Sequence, residues 1–366
     1  MENFSLIDLL KMMHTKGASD VHLKADTTPA FRIKSEIVRL KLPKISPERL
    51  KKMIYGILSE KEIAILEEGG NFDTAIGIPR IGRFRINIFV QRGTLALVGR
   101  RIPFFTPDFE SLNLPPSIKE ILNFTNGLVL VTGATGSGKS TTLAAMVNHI
   151  NKTKNCHILC IEDPIEFLYQ DEKSIINQRE VGIDVKSFRD ALKYAMREDP
   201  DVILIGEMRD PETVEFALTG AETGHLVFGT LHSSNAAQTI IRILNFFPQD
   251  RHPEIRKSLS LHLKAVVCQM LLPSCQEEIP LVPASEILLS SPIISKLISE
   301  GQYEKIIRAI KSAKKEGMLD FETSLFELVN KNFITKEVAL EYADNPDSLG
   351  MKFKGIFLSE EGGIIA

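Results

Sequence analysis

Apolar residues recur at helical spacing from the start of the chain. Leu6, Leu9, Leu10 and Met13 fall on one face of a helix over Ser5–Lys16, and Gly17 ends it. The period then shortens to two. Asp20-Val-His-Leu, Ala30-Phe-Arg-Ile and Glu36-Ile-Val-Arg-Leu alternate as half-buried strands do. A second helical stretch covers about Pro47–Glu68. Gly82-Arg-Phe-Arg-Ile-Asn-Ile-Phe-Val and Thr94-Leu-Ala-Leu-Val-Gly-Arg-Arg-Ile read as two strands paired around Gln91-Arg-Gly. Together these elements predict a small α+β domain over residues 1–102.

The pattern lapses over residues 103–116, where Pro103, Pro107, Pro115 and Pro116 replace periodicity, as expected of a linker. Beyond it, from residue 117, short apolar runs alternate with helical stretches. Gly127–Thr132, His157–Ile161, Asp201–Ile205 and Leu226–Leu231 are apolar enough to be covered on both faces. Strands of that kind between helices predict an α/β domain with a mainly parallel sheet. From about Ser291 the pattern is of short helices without strands, and Ser359–Ala366 reads as a frayed end.

Composition narrows the class. The 366 residues suffice for two domains, and 43% hydrophobic with 25% charged residues is the balance of a soluble globular chain. A formal net charge of -3 supplies no global positive field, so nucleic acid is not an expected partner. Cys156, Cys160, Cys268 and Cys275 form no Cys-x-x-Cys pair, so they read as small buried hydrophobes of a reducing compartment. The N-terminus lacks a basic region followed by an apolar one, and no apolar run reaches the ~18 residues of a membrane span. The expectation is a cytoplasmic protein that meets a membrane only through a partner.

One segment carries specific chemistry. Gly133-Ala-Thr-Gly-Ser-Gly-Lys-Ser140 follows the apolar strand Leu128-Val-Leu-Val and opens the helix Thr141-Thr-Leu-Ala-Ala-Met-Val. This is the P-loop pattern in the context it requires. Gly133, Gly136 and Gly138 let the backbone approach an anion, with Ala134, Thr135 and Ser137 between them, and the N–H groups running on to Thr141 point at it. Lys139 is placed for the β- and γ-phosphates, and the Ser140 hydroxyl for Mg²⁺. ATP and Mg²⁺ are the expected ligands.

Hydrolysis also needs acids at neighbouring strand ends. Ile161-Glu-Asp-Pro-Ile-Glu166 follows one strand, although Glu162 and Asp163 beside Pro164 equally suit a helix cap or a turn. Ile203-Leu-Ile-Gly-Glu207 has the apolar run of a Walker B strand, with Gly206 where an Asp usually stands. That leaves Glu207 as the natural Mg²⁺ holder. His225 and His232 bracket one apolar strand and lie roughly 20 Å apart in extended chain, too far to share a metal. They read either as strand-end hydrogen bonders or as sensors of nucleotide or of a neighbouring subunit.

Ala18-Ser-Asp-Val-His-Leu, Gly82-Arg-Phe-Arg-Ile-Asn, Gly133–Thr142, Ile161-Glu-Asp-Pro-Ile-Glu-Phe, Asn177-Gln-Arg-Glu-Val-Gly, Arg197-Glu-Asp-Pro-Asp, Gly206-Glu-Met-Arg-Asp and Ala221-Glu-Thr-Gly-His together resemble the secretion ATPase superfamily. Within it they are most similar to the type IV pilus retraction ATPases, the PilT/PilU family. The resemblance implies a homo-hexameric ring of chains, each with a PAS-like N-terminal domain and a RecA-like ATPase domain. It assigns Glu166 as general base, Glu207 as the Walker B acid, and Thr223–His232 as the His box, which favours the functional reading of His225 and His232, with His232 the expected site residue. It matches Arg85 and Arg100 to arginines that reach the ATP of the ring, where a guanidinium stabilises charge on the transferred phosphoryl group. Implied partners are an inner-membrane platform protein (PilC-like) and a paralogous retraction ATPase, which would make the chain peripheral at the inner membrane. One departure stands out. PilT carries a motif reading Ala-Ile-Arg-Asn-Leu-Ile-Arg-Glu, whereas Pro292-Ile-Ile-Ser-Lys-Leu-Ile-Ser-Glu300 lacks both arginines. Gly317-Met-Leu-Asp-Phe and Ala343-Asp-Asn-Pro-Asp-Ser-Leu are nearer to PilU. A retraction motor, an accessory ring subunit of low activity, and an assembly or secretion ATPase therefore remain alternatives.

Overall fold

The computed structural model describes residues 4–34, 36–102, 107–358 and 364–365. Two compact units emerge, residues 1–105 with 166–169, and residues 106–165 with 170–366. Residues 103–106 of the expected linker and most of the expected frayed tail lie outside the described residues, as do residues 1–3.

In the first unit, α1 (Leu6–Thr15) starts on a capping box in which Ser5 and Asp8 satisfy each other's backbone N–H groups. Leu6, Leu9, Leu10 and Met13 are buried, as their spacing predicts. β1 (Asp20–Lys24), β2 (Ala30–Ile33) and β3 (Glu36–Arg39) follow. The long helical stretch is in fact two helices, α2 (Pro47–Tyr55) and α3 (Glu60–Gly69), because Gly56 stops the first and Ser59 caps the second with its own capping box. Three more strands follow: β4 (Asn71–Ile78), which the alternation analysis missed, β5 (Gly82–Gln91) and β6 (Thr94–Ile102). All pairings are antiparallel, in the order β3-β2-β1-β6-β5-β4. Strict alternation along β5 buries Phe84, Ile86 and Ile88 in one core with the apolar face of α1.

The second unit begins with a 3₁₀ turn at Phe109–Leu112 and α4 (Ser117–Ile121). β7 (Gly127–Thr132), α5 (Lys139–Thr153), β8 (His157–Glu162), β9 (Ile175–Glu180), α6 (Phe188–Ala195), β10 (Val202–Ile205), α7 (Pro211–Glu222), β11 (Leu226–Leu231), α8 (Ala236–Leu244) and α9 (His252–His262) follow, and the four expected strands β7, β8, β10 and β11 are separated by helices as predicted. β12 (Leu263–Pro273) and β13 (Leu281–Leu289) complete a seven-stranded sheet of order β13-β12-β7-β11-β10-β8-β9. Six strands are parallel and β13 alone is antiparallel. Every residue of β7 and β11 is buried, which is why their sequences are continuous apolar runs. Sequence periodicity missed β9, β12 and β13. β9 (Ile-Ile-Asn-Gln-Arg-Glu) is an edge strand of mixed polarity, and β12 follows α9 with no turn residue between them.

The C-terminal region is helical as expected, with α10 (Pro292–Glu300), α11 (Ile306–Ser312), α12 (Phe321–Asn330), α13 (Lys336–Tyr342) and α14 (Pro346–Phe353). It is not free of strands. β14 (Phe357–Leu358) pairs with β15 (Ile364–Ile365), and Leu319 bridges to Ile287 of β13. The expectation of uniformly buried cysteines also needs correction: Cys160 and Cys268 are buried, Cys156 is half-buried and Cys275 is exposed. No helix among the described residues is long and apolar enough to cross a membrane.

One buried charge in this region sets a pH dependence. Glu286 on β13 is 2% exposed and accepts a 2.7 Å hydrogen bond from the Ala236 N–H at the start of α8. Burial pushes its carboxyl up to about 7; the Ala236 hydrogen bond opposes that shift, while Asp320 and Asp344 add to it. Between the ordinary carboxylate value of 4.5 and about 7, the folded chain holds a proton that the unfolded chain has released. Stability from this group is therefore complete below that window and lost as pH rises through it. Glu286→Gln keeps an acceptor for Ala236 and removes the ionisation. Its thermal midpoint should exceed the wild-type value at about pH 8, and its pH profile should be flatter across the window. Parallel profiles for the two proteins would overturn this assignment.

Candidate nucleotide-phosphate site

The phosphate loop leaves the sheet at Thr132, between two neighbours. β12 pairs Cys268 with Thr132 on one side, and β11 pairs Leu231 with Thr132 on the other. Gly133, Gly136 and Gly138 all have positive φ, at 149°, 81° and 87°. A β-carbon on Gly133 would lie 2.3 Å from the Gln269 carbonyl oxygen and 2.4 Å from Ser137 Oγ. Gly138 is the N-cap of α5, in left-handed conformation and with no side-chain cap, so the first N–H groups of this 15-residue helix have no side-chain acceptor. Ala134, Thr135, Gly136 and Ser140 are exposed while Ser137 is buried, so the loop is open on one side. Ser137 Oγ is buried without a hydrogen-bond partner.

These residues fit a polyphosphate. The glycine-only backbone and the uncapped helix start gather donors and a favourable dipole at one point. Lys139 Nζ donates to the carbonyls of Gly133 at 3.0 Å and Ala134 at 2.9 Å, which folds its ammonium over the loop.

The ends of the neighbouring parallel strands bring other expected residues alongside. Glu207 follows β10, and His232 follows β11. His232 Nε2 lies 3.3 Å from Glu207 Oε1, and Arg209 Nη2 lies 2.7 Å from Glu207 Oε2. Burial works to raise the Glu207 pKa, but the Arg209 hydrogen bond and the charges of Arg209, His232 and Lys139 outweigh it, so the carboxyl sits below its usual range. An ionised Glu207 beside Lys139 suits a cation-supporting role. Arg209 also reaches Asp163 Oδ2 at 3.5 Å.

Gly206 occupies the usual Asp position for a steric reason. A β-carbon there would lie 3.1 Å from Glu162 Cα and 3.3 Å from the Ile161 carbonyl, both backbone atoms of β8. Thr230 of β11 donates its hydroxyl to the Gly206 carbonyl, which pins the turn that presents Glu207. The cap reading of Glu162 and Asp163 does not hold. No helix starts there; Glu162 is buried and accepts from Gln178 Nε2 at 3.1 Å, and Asp163 is exposed.

The two histidines part company. His225 Nδ1 lies 3.1 Å from the Gly220 carbonyl and 3.1 Å from Thr223 Oγ1, tying the start of β11 to the end of α7. His232 meets Glu207.

Lys139, Glu207 and His232 are thus brought together within the second unit, whereas Glu166, Arg85 and Arg100 belong to the first. Glu166 is exposed in a segment without regular structure. Arg85 and Arg100 face each other across β5 and β6. Like charges so placed repel, and buried Asp20 offsets this through a 2.8 Å ion pair with Arg100 Nε. Burial would raise the Asp20 pKa, but Arg100 and Ser19 hold it below the usual range. The Arg100 side chain remains 61% exposed.

Sequence reasoning gave no role to Arg209 or Gln269. Arg209 had a signal, since it stands two residues after Glu207. Gln269 had none, because β12 was not recognised.

A mainly parallel sheet with this loop at the end of β7 defines a P-loop nucleotide-binding protein. Residues 5–300 match the Type II/IV secretion system protein family, and the chain belongs to it. It is 42% identical over 343 residues to the type IV pilus retraction ATPase PilT of Pseudomonas aeruginosa, covering 94% of this chain and 99% of that one. Over 346 residues it is 40% identical to the type IV pilus ATPase PilU of the same organism, covering 94% and 90%. A crystal structure of the pilus retraction motor PilT with bound ADP superimposes with a TM-score of 0.86 at 44% identity, covering 94% of this chain and 98% of that one.

Gly133→Ala tests the fit of the loop. The substitution meets backbone at 2.3 Å in a conformation that alanine rarely adopts, so it should cost on the order of 1–3 kcal/mol and greatly weaken ADP binding. Thermal unfolding and titration calorimetry check both effects; wild-type ADP affinity would count against the cradle.

Proposed function

We propose that the chain is the ATP-hydrolysing subunit of a homo-hexameric motor that powers type IV pilus retraction. The supporting observation is the grouping of Lys139, Glu207 and His232 beside a glycine-lined phosphate loop, in a chain similar to PilT over 94% of its length. Each chain would contribute a PAS-like domain over residues 1–102, a linker over 103–116 and a RecA-like domain beyond. The ring would dock on an inner-membrane platform protein at the cytoplasmic face.

Within the site, the Ser140 hydroxyl and the Glu207 carboxylate would hold Mg²⁺, which when bound neutralises phosphate charge. Lys139 and the N–H groups of residues 133–141 bind and orient the triphosphate. Glu166 accepts the proton of the attacking water on its carboxylate. Arg85 and Arg100 carry the charge needed at the transferred phosphoryl group of the ring. His232 orients Glu207 through their 3.3 Å contact.

A second reading is motivated by α10, where Pro292–Glu300 carries no arginine. On that reading the chain is an accessory ring member that retracts pili only with a paralogous ATPase. Deletion of the gene separates the readings. Excess surface pili with loss of twitching supports the retraction motor; loss of pili indicates an assembly motor. Excess pili that the paralogue clears when overexpressed support the accessory role.

Two substitutions divide the chemistry. Lys139→Ala should lower ATP affinity by two orders of magnitude or more, roughly what a lost charge-assisted contact to phosphate removes. Glu166→Gln should bind ATP normally and lose at least about 100-fold in turnover. Undiminished turnover in Glu166→Gln, measured by phosphate release, removes it as the base.

A further inference from the structure

Gln269 lies outside every sequence motif of the site, yet it packs close against two glycines of the phosphate loop and bonds to the helix that the loop opens. The parallel register places it there. With Cys268 opposite Thr132, the next residue of β12 falls beside Gly133, where β7 leaves the sheet. Its main-chain oxygen closes against Gly133, 2.3 Å from the place a β-carbon would take. Its carboxamide nitrogen sits over Gly138 in the same way, at 3.0 Å. Its carboxamide oxygen accepts a 2.8 Å hydrogen bond from the Thr142 hydroxyl on the first turn of α5. Gln269 is 4% exposed and Thr142 is 1% exposed, so neither exchanges this bond for water.

The chemistry suits the place. A glutamine side chain is donor and acceptor at once and carries no charge. A carboxylate of the same length would put negative charge against a loop that receives phosphates. A helical threonine commonly bonds back to the carbonyl four residues earlier. Thr142 turns its hydroxyl to β12 instead, which ties the helix start to the sheet independently of the loop between them. The first and last glycines of the loop thus pack against one residue, and the helix that the loop opens is bonded to it.

We propose that Gln269 is a positioning residue that fixes the phosphate loop in its anion-binding shape, acting through Gly133, Gly138 and Thr142. The inference rests on the nucleotide-site reading and extends it. Its effect belongs to binding rather than to the chemical step, because the loop holds substrate and product alike.

The test is a double-mutant cycle on the full-length protein with Gln269→Met, which keeps length and loses both polar atoms, and Thr142→Val, which keeps shape and loses the hydroxyl. ADP affinity by calorimetry and the steady-state ATP parameters are the readouts. Each single variant should raise the Kd for ADP about tenfold, the effect of losing a buried hydrogen bond. KM for ATP should rise in parallel while kcat stays within about twofold. The double variant should bind no more weakly than either single one, since both remove the same contact. A purely structural role would lower the thermal midpoint without ligand and leave Kd and KM unchanged, which overturns the proposal, as does full additivity in the cycle. If Gln269→Met does not fold, Thr142→Val carries the test by itself, since it removes the same bond, keeps the side-chain shape and should raise the Kd for ADP about tenfold. A wild-type Kd in that variant overturns the proposal. Failure of the wild-type protein to bind ADP would sink the nucleotide reading itself, and is seen before any variant is made.

Discussion

The second unit depends on one geometric constraint, the parallel register of β7 with its neighbours. Parallel strands end on the same side of a sheet, so whatever follows each of them collects along one edge. β7 delivers the phosphate loop there, β10 delivers Glu207, β11 delivers His232, β12 delivers Gln269 and β8 delivers Glu162 and Asp163. No two of these segments are adjacent in sequence. A slip of one residue in any pairing would turn its side chains to the opposite face. Continuous burial of β7, β10 and β11 opposes such a slip, because each strand is packed on both sides.

Close packing at that edge explains residues that departed from common patterns. Gly206 stands where an acid is usual because the backbone of β8 passes within 3.1 Å of its missing β-carbon. The carboxylate moves one residue on, to Glu207, where Arg209 and His232 meet it from two sides. A chain of hydroxyls, buried except at Ser233, links the same parts. Thr132 lies 3.4 Å from Thr239 on α8, and Thr239 lies 2.7 Å from Ser233, the residue after His232. The root of the phosphate loop and the histidine segment thus share one small polar network.

The first unit carries charge of the opposite kind. Its sheet is antiparallel, with a clear inside and outside along β5, and the polar face carries Arg85 opposite Arg100. Asp20 pairs with Arg100 and, at 3.7 Å, with Arg32, and Arg100 keeps an exposed side chain. Glu166 belongs to the same unit as Arg85 and Arg100, whereas Glu207 belongs to the other.

What could be read from the chain alone was whatever has a short period or a local motif. α1, the strands of the first unit other than β4, the four buried strands of the second and the phosphate loop all announce themselves within about fifteen residues. The break between α2 and α3 was missed because apolar spacing continued across Gly56, and capping at Ser59 decided the matter. β9, β12 and β13 were missed because an edge strand of mixed polarity and a strand that directly follows a helix carry no alternation or turn of their own. Roles that depend on pairing were beyond sequence reading for a physical reason. Nothing near Gln269 in the chain hints at phosphate; its meaning comes from Cys268 lying opposite Thr132, more than a hundred residues away. The family resemblance pointed to His232, but its contact with Glu207 follows from the pairing of β10 with β11. Sequence determined that a phosphate loop exists and that its chemistry suits a nucleotide. Tertiary structure decided which side chains surround it, because only hydrogen-bonded register between distant strands brings them within reach.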